Sequence, residues 1–394
     1  MGCCIKISFS IVFFQTPSLC PILDNIGLNI FSTRLDRIIA YSIINSLCSC
    51  YRITLLFKSL LYLIVLAVTF FCPLSSAKSK DYEYQLTRAQ YFLRSDPEQA
   101  FNILGSIKDV EKLTDEQKIT FYILNMRLSI VLNKLDEVEP YIEQLFVYEG
   151  KPEFVDQLVS ILSGAGIWLR KQDYLDAAQH TFSCALKHAN KSSQRIALLI
   201  SSAIVARYQQ QFDVAKALYA EAADIAKRRN DQRGLATVEN NLGAIELDQE
   251  NFAKANEHFR KALAGFQMAQ NHSGHINSGI NLLLTFVLQE QLINYQRLYS
   301  HIAQLSDEYP DKSKKAYLLW VNTAYYHRQG VNPDAATREK LAEAFKQLAG
   351  PQLQRLVNKH LAALMGIDVV LTSPAAEKTI TNSAWFEKIA RCNW

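Results

Sequence analysis

The stretch from Asn240 to Leu263 constrains the fold most, because it contains two short helical patterns joined by a polar break. Apolar residues lie on one side of the first pattern and recur at three- and four-residue spacing in the second: Leu242, Ile245 and Leu247, then Ala255, Phe259, Ala262 and Leu263. The break, Asp248–Asn251, is only long enough to turn one helix back on the other. The stretch therefore predicts an antiparallel helix pair.

Gly243 lies inside the first helical pattern, where a glycine costs about 1 kcal/mol relative to alanine. Its presence therefore needs a packing reason. A residue without a side chain lets the second helix approach closely. We expect Ala255 to be the small residue that faces Gly243 across this contact.

One set of residues resembles the motif of a tetratricopeptide repeat: Leu242, Gly243, Ala255, Phe259 and Ala262. Two features depart from the family pattern. Glu246 stands where an aromatic residue is usual, and no proline follows Ala262. With these departures, the resemblance depends on further copies of the motif elsewhere in the chain.

Shifting the sequence by 40 residues in either direction reveals further copies. Asn281 follows Asn241 at this spacing, and the copies on the N-terminal side contain these matching residues: Gly166, Ala178, Phe182, Ala215 and Tyr219. The family's usual period is about 34 residues, so longer helices or longer links are expected. The chain is similar to the long-period repeats in helical sensor and adaptor regions of bacterial signalling proteins. This resemblance implies an all-α solenoid, a right-handed superhelix of antiparallel helix pairs.

Helical patterns continue on both sides of the clear repeats. They divide the later part of the chain into four segments: divergent helix pairs over 78–150, clear repeats over 151–310, a divergent pair and a capping helix over 311–366, and a tail over 367–394. A solenoid needs atypical ends to hide its last apolar face, and the helix after Gly350 is predicted to do so. In the tail, Trp385 and Phe386 indicate packing against another part of the protein.

The first 77 residues differ from the rest in having few charges and six of the eight cysteines. Within them, Lys58 precedes an apolar run that ends before the small residues Ser75–Ala77, a pattern typical of a signal peptide. The run is shorter than the about 20 residues that cross a membrane. We therefore predict a cleaved signal peptide over residues 55–77 and an exported, periplasmic chain. An anchor in the inner membrane formed by residues 59–74 is the alternative.

Residues 1–54 precede this signal and show neither a helical nor a strand period. A secretion signal is expected near the start of a chain. We interpret the segment as the product of a misplaced translation start, and a genuine hydrophobic extension is the alternative.

Beyond Ala77, basic and acidic residues nearly balance, so the charge predicts neither a nucleic acid nor an anionic membrane as partner. Only Cys184 and Cys392 remain there, and two widely separated cysteines do not indicate a disulfide framework. Cys184 lies on the apolar side of a repeat helix. We therefore interpret it as a small core residue.

Candidates for catalytic or metal chemistry are few. His272 and His275 flank a glycine in an expected loop, but two histidines do not make a zinc site without further ligands. The basic run Lys227–Arg229 is expected in an exposed loop between helices. We predict no metal, no cofactor and no enzymatic activity. A catalytic triad assembled from distant residues stays open, because triads are recognised by geometry.

The resemblance implies a concave groove, lined by the first helix of each pair, that holds a peptide or helix of a partner protein. The polar residues expected there are Arg170, Arg207, Asn240, Asn241, Asn277 and Asn281. Asparagines pair with peptide backbone and arginines with carboxylates, although such residues also bridge adjacent repeats. The predicted function is a non-catalytic interaction scaffold. The alternative is a periplasmic sensory or regulatory component of a bacterial signalling system.

Overall fold

The computed structural model of the protein describes residues 75–371 and 383–394. The chain divides into two compact units. One unit, Met1–Ala77, lies almost wholly outside the described residues, and so do the predicted extension and signal peptide up to Leu74. The other unit, Lys78–Trp394, contains the repeats.

The described residues form helices and contain no strand, which confirms the all-α prediction. The helices are α1 Ser75–Ser95, α2 Pro97–Ser106, α3 Asp115–Val131, α4 Val138–Phe146, α5 Pro152–Lys171, α6 Leu175–His188, α7 Ser192–Tyr208, α8 Phe212–Arg228, α9 Gln232–Asp248, α10 Phe252–Met268, α11 His272–Leu288, α12 Leu292–Glu308, α13 Lys312–Arg328, α14 Ala335–Lys346, α15 Gly350–Val357, α16 Ala363–Met365 and α17 Ala384–Arg391. None of the helices in this part of the chain is long and apolar enough to cross a membrane.

The 40-residue period has a simple structural origin. From α7 to α13, helices of 17 residues alternate with links of three residues. In each of the five links from α7 to α12, one residue adopts a left-handed backbone conformation that turns the chain: Gln210, Asn230, Glu250, Gln270 and Glu290. The links are therefore short, and the long period comes from long helices.

The first helix of several pairs begins with a side-chain cap. Asp231, Asn271 and Asp311, spaced one repeat apart, each accept a hydrogen bond from the backbone amide three residues later. Such a cap satisfies a backbone donor that a helix start leaves free. The caps and turns together fix where each helix begins.

Successive helices pack as antiparallel pairs, and the first helices of neighbouring pairs also contact one another. The contacts between first helices connect α3, α5, α7, α9, α11 and α13 in a single row. This row is the inner layer of the solenoid, and the second helices form the outer layer. The apolar core runs between the two layers, so it extends along the described repeats.

Gly243 lies at a close helix–helix contact, as predicted, but the residue that faces it is Phe259 and not Ala255. A Cβ atom at Gly243 would lie 2.8 Å from the Phe259 ring, and one at Gly166 would lie 2.5 Å from the Phe182 ring. The glycine therefore makes room for an aromatic ring on the second helix. Ala255 does not fill this space, and the Phe259 ring makes the contact with Gly243 instead.

Most of the repeat-motif residues are buried, with Leu242 only partly buried. Glu246, which replaces the usual aromatic residue, is buried as well. Its carboxylate accepts hydrogen bonds from Lys216 Nζ at 2.9 Å and from Asn251 Nδ2 at 3.0 Å. Burial alone would raise the pKa of Glu246, but these two bonds hold it below its ordinary value. A polar contact between neighbouring helices thus takes the place of an aromatic one.

The helix that begins at Gly350 caps the solenoid and also reaches back along it. Val357 is fully buried in the core cluster that contains Trp320, so the end of the repeats is covered. On the same helix, Arg355 Nη2 lies 3.2 Å from both carboxylate oxygens of Asp173, which belongs to the α5–α6 turn. Lys359 Nζ forms an ion pair at 2.8 Å with Glu250.

The expectation for the two late cysteines is wrong. Cys184, on α6, and Cys392 form a disulfide although they are 208 positions apart in the sequence. The chain returns after α16, and α17 places Trp385 and Ile389 in the core cluster of α4–α6. Sequence separation conceals this proximity, because a long return of the chain creates it. Cys184 is nevertheless buried, as expected.

Candidate binding groove

A cavity of about 1000 Å³ lies against the inner layer of the solenoid. Residues of α7, α9, α11 and α13 form one side of it. Helix α2, through Phe101, and the end of α3 with the turn that follows it, through Lys134, line another side. Leu353 and Leu356 of the capping helix α15 complete the lining. The predicted groove is therefore a hollow with several walls.

The structure brings most of the predicted groove residues together. The cavity lining includes Arg207, Asn240, Asn241, Asn277 and Asn281. Arg170 is outside that lining. Its guanidinium instead lies over the Tyr208 ring, 5.7 Å from the centroid.

The asparagines differ in what their side chains already contact. Asn281 Nδ2 donates to Asn240 Oδ1 at 3.3 Å, and the Tyr317 hydroxyl donates to Asn281 Oδ1 at 3.3 Å. These bonds connect three successive first helices, so the side chains of Asn240 and Asn281 bridge adjacent repeats. Asn241 Nδ2 donates to the Thr237 carbonyl one turn earlier. Asn277 is exposed, and its side chain forms no hydrogen bond with any residue that the structure describes.

Arg207 is committed to an internal ion pair. Its Nε and Nη2 atoms donate to the two carboxylate oxygens of Asp248 at 2.6 and 3.0 Å. A two-point pair of this kind uses the edge of the guanidinium that would otherwise bind a ligand carboxylate. Arg207 therefore forms part of the cavity wall. In this arrangement its Nε and Nη2 atoms are not available to bind a ligand carboxylate.

Lys171 is a cavity residue that sequence reasoning missed. It is the last residue of α5, and its Nζ donates to Asn133 Oδ1 at 3.3 Å. Among the described residues it forms no ion pair. Burial lowers the pKa of Lys171 to about 8, and Arg170 and Lys314 act in the same direction while Asp311 opposes them. In the sequence it looks like an ordinary basic residue at a helix end.

The charges that line the cavity are mostly positive. Besides Lys171 and Arg207, the lining includes Lys134, Lys312 and Lys314, against the acidic residues Glu98 and Asp311. Lys314 pairs with Asp311 within the wall. The arrangement therefore favours a negatively charged group in the cavity, and Lys171 is the cation most in need of a partner.

Two other sequence candidates are placed as follows. His272 and His275 lie in the first turn of α11 and not in a loop, because the Asn271 cap starts the helix one residue before His272. Lys227 and Arg228 end α8 and are exposed. Neither pair contributes to the large cavity.

One further group of possible metal ligands exists in the described part of the chain. Cys184, His188 and Cys392 place one ligand atom each within 4.8 Å of one another. The two sulfur atoms are bonded to each other. A thiolate is the metal-binding form of cysteine, so the group is a disulfide with a neighbouring histidine.

Paired helices with a hollow inner face define a helical-repeat solenoid. Residues 193–268 match the family model described as tetratricopeptide repeat. This part of the chain is thus of tetratricopeptide-repeat type. No curated protein matches it.

Several solved structures align with this chain at low sequence identity. BtubC (BKLC) from P. vanneervenii aligns with a TM-score of 0.42 and 16% identity, over 62% of this chain and 96% of that one. A Rap protein complexed with Competence and Sporulation Factor aligns with a TM-score of 0.36 and 14% identity, over 80% of this chain and 100% of that one. The apo form of the quorum sensor NprR from B. thuringiensis aligns with a TM-score of 0.34 and 16% identity, over 73% of this chain and 99% of that one.

Proposed function

We propose that the protein is a non-catalytic scaffold that captures a peptide segment of a partner protein in the inner cavity. The observation that carries this proposal is the cavity itself, whose volume of about 1000 Å³ is at the upper end of ligand pockets. Its walls combine the aliphatic side chains Leu353 and Leu356 with free polar groups such as the Asn277 amide. Apolar walls with a few polar groups suit a peptide.

The charge of the cavity favours an acidic segment. Lys171 is partly buried without a carboxylate partner, and a buried cation is costly unless it is paired. A carboxylate of the captured segment would supply that partner. The Asn277 amide offers a donor and an acceptor for the backbone of the same segment.

We predict that Lys171→Met weakens the binding of an acidic peptide by about 1.5–3 kcal/mol, the range for a hydrogen bond to a charged group. The pH dependence follows from the lowered pKa of Lys171, about 8 in the free protein. Lys171 is charged below that value and neutral above it. Affinity of the parent is therefore greatest below pH 8 and falls as the pH rises through 8, while the variant shows a flat profile over this range.

The measurement uses peptides selected on the immobilised protein from a displayed random library, followed by calorimetric titration of the best peptide. Lys346→Met is the matched control, since Lys346 is exposed on α14 and pairs with Glu343 outside the cavity. Equal affinities of the parent and Lys171→Met would remove Lys171 from the site. A library that selects no peptide would favour the sensory alternative, in which the cavity holds a small ligand.

We also propose that the protein is exported to the periplasm and that residues 55–77 are its signal peptide. The disulfide between Cys184 and Cys392 supports this proposal, because such bonds persist mainly in oxidising compartments. The apolar run after Lys58 and the small residues at Ser75–Ala77 support it from the sequence side.

The expected mature protein begins at Lys78. Intact-mass measurement of the protein from its native cells, fractionated into periplasm, membrane and cytoplasm, tests this directly. A chain that keeps residues 59–74 in the membrane fraction would instead establish the anchor. A full-length chain in the cytoplasm would contradict export altogether.

A further inference from the structure

Three histidines line a second cavity, which shares no lining residue with the large one. Its volume is about 390 Å³, and it is lined by the end of α10, the start of α11 and residues of α12. His272 and His275 come from α11, and His301 comes from α12. The sequence offered only the first two histidines, and the fold supplies the third.

The distance between two of these imidazoles matches shared metal ligation. His275 Nε2 lies 3.3 Å from His301 Nε2, and the two rings are nearly perpendicular with centroids 5.5 Å apart. Zinc binds imidazole nitrogen at about 2.0–2.1 Å in tetrahedral geometry. Two such ligands stand about 3.3–3.4 Å apart by that geometry. The pair thus has the separation that one zinc ion requires.

The orientation of His275 is set by its other nitrogen. His275 Nδ1 lies 3.2 Å from the carbonyl oxygen of Leu263, which accepts a hydrogen bond only from a protonated Nδ1. The neutral ring then carries its lone pair on Nε2, the atom that faces His301. Metal-binding histidines are usually fixed in this way by a backbone carbonyl or a carboxylate.

His272 would supply the third ligand after a rotation of its side chain. It precedes His275 by three residues, so the two side chains lie on the same face of α11. It is exposed and lines the same cavity, which leaves its side chain free to turn toward the pair. A fourth position is then open to water, as in three-histidine zinc sites.

We propose that His272, His275 and His301 bind one Zn²⁺ ion. Imidazole nitrogen suits zinc and the neighbouring divalent metals better than it suits Mg²⁺ or Ca²⁺. The ion would join α11 to α12 at the edge of the solenoid. Because Asn277 belongs to α11, the same ion would fix the helix that carries a wall residue of the large cavity.

The experiment is equilibrium titration of the metal-free, untagged full chain with Zn²⁺, with its cysteines kept oxidised, and with Co²⁺ as a spectroscopic substitute. We expect one ion per chain and the visible absorption of tetrahedral Co²⁺. His301→Gln and His272→Gln alter exposed residues, so both variants should fold as the parent does. Each should weaken Zn²⁺ binding at least about 100-fold, since losing an outer-shell partner alone costs about 10–100-fold.

His258→Gln is the matched control, because His258 lies on neighbouring α10 and contacts Glu239 at 2.7 Å instead of the histidine pair. It should leave Zn²⁺ affinity unchanged. The proposal is overturned if the parent binds no stoichiometric Zn²⁺, in which case the 3.3 Å contact is a hydrogen bond between imidazoles. It is also overturned if binding survives in both His301→Gln and His272→Gln.

Discussion

Replacing Phe259 with alanine is expected to lower the free energy of unfolding by about 3–5 kcal/mol, the usual cost of removing a buried aromatic ring. Phe259 is fully buried in the largest core cluster. Its ring fills the space above Gly243, between α9 and α10. Alanine would leave a cavity that two long, packed helices cannot close. Urea unfolding followed by circular dichroism measures the loss.

Met268→Ala is the matched control for this prediction, because Met268 ends the same helix with its side chain exposed. It should change stability by no more than about 0.5 kcal/mol. A Phe259→Ala protein that unfolds like the parent would show that α9 and α10 do not pack as described.

A second test uses the coupling between the ring and the glycine. In the parent, Gly243→Ala places a Cβ atom 2.8 Å from the ring and should destabilise the protein. In the Phe259→Ala background no ring stands in the way of the new Cβ atom. Gly243→Ala should then stabilise the protein by about 1 kcal/mol, the difference in helix propensity between alanine and glycine. The sign of the Gly243→Ala effect should therefore reverse between the two backgrounds. Additive effects would contradict the contact.

The repeat could be predicted from the sequence, because a helix pair is a local structure. The three- and four-residue spacing around Phe259 and its recurrence near Tyr219 define both the helices and the order of pairs. The error at Ala255 arose because spacing shows which face of a helix is buried. It does not show which residue on that face lies opposite a given glycine.

Contacts between distant parts of the chain could not be predicted in the same way. The ion pair of Arg355 with Asp173 joins residues 182 positions apart, and it depends on how the solenoid curves. Lys171 becomes a cavity residue for the same reason, because the cavity walls come from α2, α5 and α15 together. A period fixes neighbours along the solenoid, whereas curvature decides which remote turns meet.

The candidate groove could be predicted from the sequence only in part. Asn240, Asn277 and Asn281 were placed on one wall because first helices of successive repeats align. Their side-chain contacts were not predictable, since the Tyr317 hydroxyl that binds Asn281 comes from the next pair. As a result, the asparagine with a free amide is Asn277, while Asn241 bonds to its own helix.

The disulfide connects the tail to the middle of the solenoid, and Cys392→Ser is expected to lower the free energy of unfolding by about 2–4 kcal/mol. The bond closes a loop between residues 208 positions apart in the sequence, and the stabilisation by a disulfide grows with loop length because the unfolded chain is more restricted. Without the bond, α17 is held by Trp385 and Ile389 in the α4–α6 core and by polar contacts such as that of Ser383 with Glu139. We therefore expect the tail to detach before the repeats unfold.

Thermal unfolding of the parent and Cys392→Ser measures the stability, and tryptophan fluorescence reports whether Trp385 leaves the core. Reduction of the parent should reproduce the variant, because both remove the same bond. Ser383→Ala is the control, since it removes a polar contact of the tail to Glu139 and leaves the disulfide intact. Free thiols at both Cys184 and Cys392 in the oxidised, purified protein would contradict the disulfide itself. Unchanged stability after reduction would show that α17 is held by packing alone.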